Sequence, residues 1–131
     1  MRKQKDPKWQ NIIDECPNLY AGCDQYVFGV DDGWYSLIRD LSIKLEPLIL
    51  AANAIAVEDY EQFRVLQIKE KFGGLRFYMS YTSDEMNKFI SDAESKSYEV
   101  CEQCGDPGTP TTTSWIKTLC EYHKVNRYKN S

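Results

Sequence analysis

The sequence predicts an α+β fold, with helices packed on a β-hairpin and a small cysteine-rich module at the C-terminus. Three observations carry that prediction. Apolar residues recur at helical spacing in two long segments, first at Trp34, Ile38, Leu41, Leu45, Leu48 and Ala52, then at Met86, Phe89, Ile90, Ala93 and Ser97. Between them, two β-rich runs in "FRVLQIKEKFGGLRFYMSY" flank a pair of glycines. Finally, three of the five cysteines and the single histidine cluster in "CEQCGDPGTPTTTSWIKTLCEYHK". The division expected is residues 1–100 as a helical and hairpin domain and residues 101–131 as a module packed on it.

Each element has its own reason. In "DPKWQNIIDEC", Asp6 is a cap, Pro7 takes the first helical position, and Trp9, Ile12, Ile13 and Cys16 fall at i, i+3, i+4 and i+7 before Pro17 ends the helix. Residues 17–30 are rich in turn formers and aromatics without a period, so they read as irregular chain with one short extended piece at residues 26–30. Asp31 or Asp32 then starts the main helix. Pro47 inside it removes a backbone donor, which predicts a kink or a break near residues 44–47.

For the hairpin, a two-residue turn at Gly73-Gly74 sets Phe72 opposite Leu75, Glu70 opposite Phe77, Ile68 opposite Met79 and Leu66 opposite Tyr81, all on the core side. The other side then carries Val65, Gln67, Lys69, Lys71, Arg76, Tyr78 and Ser80. Glu70 is the anomaly, an acid among apolar neighbours. Thr82 and Glu85 stand at capping-box spacing ahead of the last long helix, which leads into Cys101.

Composition bounds the function. A chain of 131 residues with 42% hydrophobic and 13% aromatic content reads as one ordinary folded domain with at most a small added module, and not as a disordered or fibrous chain. No apolar run approaches the 18 or so residues of a membrane span, and "MRKQKDPKW" leads into no apolar signal core. A cytoplasmic protein without membrane contact is therefore expected. That compartment keeps thiols reduced, so paired cysteines in an odd total of five point to metal ligation and away from disulfides.

Cys101-x2-Cys104 and Cys120-x2-His123 together make a Cys3His ligand set. Two thiolates two residues apart bite one ion from a tight turn that Gly105 lets close, while Cys120 and His123 in a helix's first turn point the same way. Residues 111–119 between the pairs suit a small hairpin, and the order of knuckle, hairpin and helix is treble-clef-like. One structural Zn²⁺ per chain is expected, since four protein ligands leave no position for substrate or water. Ligation by the sole histidine, His123, also removes the usual general base, so no catalytic residue is assigned and the chain reads as a non-enzyme. Cys16 and Cys23 lack partners for a second site and read as ordinary thiols.

Charge is unevenly spread around a net −4: residues 11–62 hold ten acids against two bases, and residues 63–80 hold four bases against one acid. Asp31, Asp32, Glu58, Asp59 and Glu61 form a candidate acidic surface for a basic partner. Lys69, Lys71 and Arg76 beside Tyr78, extended by Lys117, Lys124, Arg127 and Lys129, form a candidate basic strip with an aromatic.

The succession "DDGWYSLI", "QIKEKFGGLRFY", "CEQCG" and "WIKTLCEYH" resembles a group of small uncharacterised proteins encoded by bacteriophages and prophages. The resemblance spans about residues 29–124 and implies a phage setting with a zinc module at the C-terminus, but no known activity. It favours a protein-binding module that modulates or inhibits a host complex, including a defence complex, through the acidic surface. The alternative is a nucleic-acid-binding accessory protein using the basic hairpin face and the C-terminal helix, against the net negative charge.

Overall fold

A computed structural model describes residues 5–55 and 62–126. The β-rich runs form the antiparallel strands β2 (Val65–Lys71) and β3 (Gly74–Met79), and a two-residue strand, β1 (Phe28–Gly29), pairs parallel to β2 through Phe28–Ile68 and Gly29–Lys69. With three long helices on this sheet and a second, two-stranded sheet near the C-terminus, the fold is α+β.

The hairpin register differs from the expected one. Lys71 pairs with Gly74, Glu70 with Leu75, Lys69 with Arg76, Ile68 with Phe77 and Gln67 with Tyr78, so the turn is Phe72-Gly73. Both turn residues have positive φ, +53° at Phe72 and +85° at Gly73, the geometry that suits the twist of a tight hairpin. Gly74 instead begins β3 against Tyr98: a Cβ there would lie 2.2 Å from the Tyr98 hydroxyl, so its missing side chain makes room for an aromatic ring. The face assignment holds for Ile68, Leu75 and Phe77, all buried, because a shift of two residues preserves the alternation. It fails at Leu66, Phe72 and Tyr81, which are exposed, and at Val65, which is buried. An irregularity between Val65 and Gln67 leaves Leu66 unpaired and turns it outward.

Helix α1 (Lys8–Glu15) buries Trp9, Ile12 and Ile13 and begins one residue later than expected, with Pro7 at the cap position and the Asp6 carboxylate accepting the Lys8 amide at 2.9 Å. Helix α2 (Tyr35–Ala54) follows a short 3₁₀ turn at Asp32–Trp34 and runs unbroken through Pro47. Pro47 and Ile43 both lie on the exposed side, so the carbonyl deprived of its donor faces water and the helix survives. The buried line is Ile38, Leu41, Ser42, Leu45 and Ile49. Helix α3 (Asp84–Lys96) is capped by Ser83, one residue later than the expected Thr82, with the Ser83 hydroxyl accepting the Met86 amide at 3.2 Å.

The irregular stretch after α1 is fixed by side chains of α2. Glu46 accepts from the Leu19 amide at 2.8 Å and the Asn18 side chain at 2.7 Å, and Tyr20 and Ser42 bond at 2.7 Å in the core. Around them Trp9, Phe28, Tyr20, Trp34 and Leu45 fill the space between helices and sheet, with Trp9 and Phe28 ring centres 4.6 Å apart. The outer edge of β3 is closed by α3 and the turn after it, since Glu94 accepts the Phe77 amide and Ser97 accepts the Leu75 amide, each at 2.9 Å. That edge cannot template a further strand.

Candidate metal centre

Cys101 follows a short 3₁₀ turn at Ser97–Glu99 and begins a tight knuckle. The Gly105 amide donates to the Cys101 carbonyl at 2.9 Å and the Cys101 amide to the Asp106 carbonyl at 2.8 Å, with Gly105 at φ +86° allowing the reversal. Strands β4 (Thr109–Pro110) and β5 (Thr118–Leu119) then pair antiparallel and deliver Cys120 to the start of α4 (Glu121–Asn126), which carries His123 in its first turn. The ligand atoms of Cys101, Cys104, Cys120 and His123 all lie within 4.8 Å of one another. Cys104 and Cys120 sulfurs are 3.8 Å apart, and His123 Nδ1 stands 3.5 Å from Cys101 Sγ and 3.2 Å from Cys120 Sγ. All five cysteines are free thiols. The cluster can hold one metal ion.

Its electrostatics suit that task. The His123 backbone amide points at Cys120 Sγ and, with the neighbouring side chains, brings that thiol down to about 7. Desolvation, together with hydrogen bonding among the crowded sulfurs, holds Cys104 up at about 12. A cation among the three sulfurs replaces those protons and relieves the crowding.

The knuckle is locked to the start of α2. The Gly33 amide donates to the Glu102 carbonyl at 2.7 Å, the Trp34 indole to the Val100 carbonyl at 2.9 Å and the Asp31 amide to Glu102 Oε2 at 3.2 Å. A Cβ on Gly33 would come within 2.1 Å of the Cys101 carbonyl oxygen, so only glycine permits this approach. Glu102 is buried, which pushes its carboxyl up against the pull of Lys117.

Glu70, the acid among apolar neighbours, proves structural. One oxygen accepts the Gly73 amide at 2.7 Å and the other meets Lys117 Nζ at 2.9 Å, while Lys117 also lies 3.7 Å from Glu102. Lys117 is thus a tie between two carboxylates and not an extension of the basic strip. Gly33 and Glu102 had no sequence signal and Lys117 read only as part of the basic strip, because each matters through a residue far away in the chain.

The candidate partner residues fall into two groups. Asp31 and Asp32 are exposed yet engaged: Asp31 accepts the Gln103 side chain at 3.1 Å, and Asp32 accepts the Trp9 indole at 2.8 Å and faces Lys8 at 3.9 Å. Glu58, Asp59 and Glu61 lie outside the described residues, as do Arg127 and Lys129. Lys69 and Arg76 stand opposite each other on the outward face of the sheet, with Lys71 and the exposed Tyr78 at the adjoining positions. Lys69 lies 5.7 Å from the Tyr78 ring, and Arg76 reaches the Tyr98 hydroxyl at 3.5 Å. Lys124 lies against Thr109 and Glu121.

Fold and site together define an α+β protein with a Cys3His cluster at its C-terminal end that could hold a metal ion. No protein-family model, curated protein or solved structure matches the chain. Among the described residues no helix is long and apolar enough to cross a membrane.

Proposed function

We propose that this chain is a non-enzymatic protein-binding module, held in shape by one structural Zn²⁺ and acting by stoichiometric contact with a host protein or complex in the cytoplasm. The observation that carries the reading is the closed ligand set, four protein atoms within 4.8 Å that include the chain's single imidazole. A tetrahedral zinc with bonds of about 2.3 Å to sulfur and about 2.0 Å to nitrogen has edges of roughly 3.8 and 3.5 Å. Three of the separations, 3.8, 3.5 and 3.2 Å, lie near those edges, the whole set lies within 4.8 Å, and three thiolates with an imidazole are a zinc donor set. Knuckle, hairpin and helix follow in treble-clef-like order. With all four positions taken by protein, zinc supplies folding energy and no Lewis acid for substrate.

The resemblance to phage proteins supports modulation or inhibition of a host complex as the outcome of binding. In this reading the exposed Asp31 and Asp32 set the field that a basic partner approaches, with Glu58, Asp59 and Glu61 added to them on the sequence alone. The test is metal analysis of the purified chain, expected at one zinc each, followed by titration of a captured host partner, expected to saturate at equal amounts. Asp31→Asn with Asp32→Asn keeps the internal acceptors, so it should slow association while leaving zinc content intact. Turnover at strongly sub-stoichiometric protein, with covalent change in the target, overturns the reading.

A nucleic-acid-binding role rests on a separate observation, the Lys69–Arg76 pair in register beside exposed Tyr78 on the outward sheet face. Its signature is affinity for plain single or double strands that falls steeply with salt.

A further inference from the structure

A cavity of about 530 Å³ opens where the segment before α1, strand β1, the start of α2 and the cysteine module meet. Five carboxylates and two ammonium groups line it. Glu102 is only 3% exposed whereas Asp31 and Asp32 reach solvent, so negative charge runs from the mouth to the floor. A cleft lined mainly by one sign of charge, with low-dielectric walls, focuses its field and concentrates the opposite charge. Lys117 answers Glu70 and Glu102 at the floor. At the mouth, Asp31 Oδ1 accepts no hydrogen bond among the described residues, and Asp32 Oδ2 has only Lys8, at 3.9 Å.

The cavity already holds a cation. The Lys5 ammonium donates to the Val30 carbonyl and lies 4.9 Å from the centre of the Trp9 ring. This observation is independent of the acids, because a carbonyl and a ring hold the ammonium and Lys5 makes no ion pair among the described residues. Burial pulls Lys5 below the usual lysine range, and Asp31, Asp32 and Glu102 oppose this only from a distance. Lys5 is thus a loosely held occupant, a point charge that reaches the cradle but neither carboxylate at the mouth. A guanidinium presents five donors in a planar fork and can meet two carboxylates at once.

We infer that this cavity is the anchoring site for the partner, resting on the protein-binding reading above, and that it takes one arginine side chain from a basic protein segment, which displaces Lys5. The guanidinium bridges Asp31 and Asp32 at the mouth. Both acceptors are held in place beforehand, Asp31 by the Gln103 side chain at 3.1 Å and Asp32 by the Trp9 indole at 2.8 Å, so little order is lost on binding. Lys5 leaves a neutral carbonyl for water, a small loss against the charged hydrogen bonds gained. A divalent cation is less suited, since it needs about six oxygen ligands and the two lysines share the space. A nucleic acid would meet a repelling field.

The test uses the zinc-loaded full chain and short end-blocked Gly-Ser peptides with one central Arg, Lys or Glu, with spermidine and magnesium chloride as further probes. NMR spectroscopy reads the Trp9 indole proton, bonded to Asp32, and the Asp31 amide, bonded to Glu102. The Arg peptide should shift both signals and bind tightest. Asp31→Asn, whose amide oxygen still accepts from Gln103, should weaken it at least about ten-fold. Gln103→Arg, which sets a guanidinium of the chain's own beside Asp31, should weaken it as much with zinc content and melting temperature unchanged. Lys5→Gln should tighten it several-fold, whereas Lys88→Gln, the same charge change at an exposed position of α3, should leave it within about two-fold. Failure of the Arg peptide, equal or tighter binding of the Lys or Glu peptide, spermidine or magnesium, or an equal gain from Lys5→Gln and Lys88→Gln overturns the assignment. If a captured host partner binds Gln103→Arg at full strength, the binding module stands and the cavity falls. If the Arg peptide behaves as expected but a target is covalently changed at strongly sub-stoichiometric protein, the cavity stands and the non-enzymatic reading falls.

Discussion

Lys117 shows how much one side chain decides at the residue scale. It lies between Glu70 and Glu102, is about a quarter exposed, and is the cation closest to both carboxylates among the described ion pairs. Removing one member of such a partly buried network leaves charge without compensation, which costs more than the network contributes when intact. Lys117→Met should therefore destabilise the protein by about 2–4 kcal/mol, less than a fully buried pair because water still reaches the ammonium. Urea denaturation of the zinc-loaded protein measures this, and a change below about 0.5 kcal/mol, the range of ordinary surface substitutions, would refute it. Cys16 offers a contrast, since burial and then the nearby Glu46 and Glu15 push its thiol up to about 11. It should resist alkylation at neutral pH in the folded chain while metal-free Cys120 reacts readily.

At the scale of elements, α2 carries a cost it does not need for packing. Pro47 lies on the exposed side of a 20-residue helix whose buried line passes through Ile38, Leu41, Leu45 and Ile49. Pro47→Ala restores the missing amide without touching the core, and should stabilise the protein by roughly 1–3 kcal/mol, visible as a higher denaturation midpoint at unchanged slope. The hairpin responds oppositely to a change of length. One residue inserted between Phe72 and Gly73 displaces either Ile68 or Leu75 and Phe77 from the core face, and the loss should be several times larger than that of any surface substitution.

For the molecule as a whole, a metal held by Cys101, Cys104, Cys120 and His123 would tie together parts distant in sequence. Chelation should open the module at residues 101–126 first, and because Gly33 and Asp31 donate to Glu102, the start of α2 should loosen with it. Hydrogen exchange is expected to speed up at the Gly33, Glu102 and Gly108 amides while those of α2 around Leu45 stay protected. Uniform exchange across the chain would instead mean that the metal is required for the entire fold. Acid acts in the same direction as a chelator. Ligation needs Cys120, near 7, and Cys104, held up near 12, as thiolates, so metal binding displaces protons and weakens as pH falls. The gap in melting temperature between zinc-loaded and chelated protein should accordingly shrink from pH 8 to pH 5.

The sequence by itself determined whatever depends on short-range spacing. Trp9, Ile12 and Ile13 at helical intervals, Met86, Ile90 and Ala93 on one face, and the alternation of Ile68, Leu75 and Phe77 were legible because period and burial are local consequences of backbone geometry. The Cys3His cluster was legible for the same reason, since two x2 spacings fix how each pair could bite an ion. Only tertiary structure decided that Gly74 begins β3 against Tyr98, that Pro47 falls on the solvent side of an unbroken helix, and that Lys117 serves Glu70 and Glu102. Each depends on a neighbour supplied by a distant part of the chain. The seating of the C-terminal hairpin on the tip of the first is the clearest case: the Thr118 hydroxyl donates to the Gly73 carbonyl at 2.7 Å across 45 residues of sequence, a contact no local pattern announces.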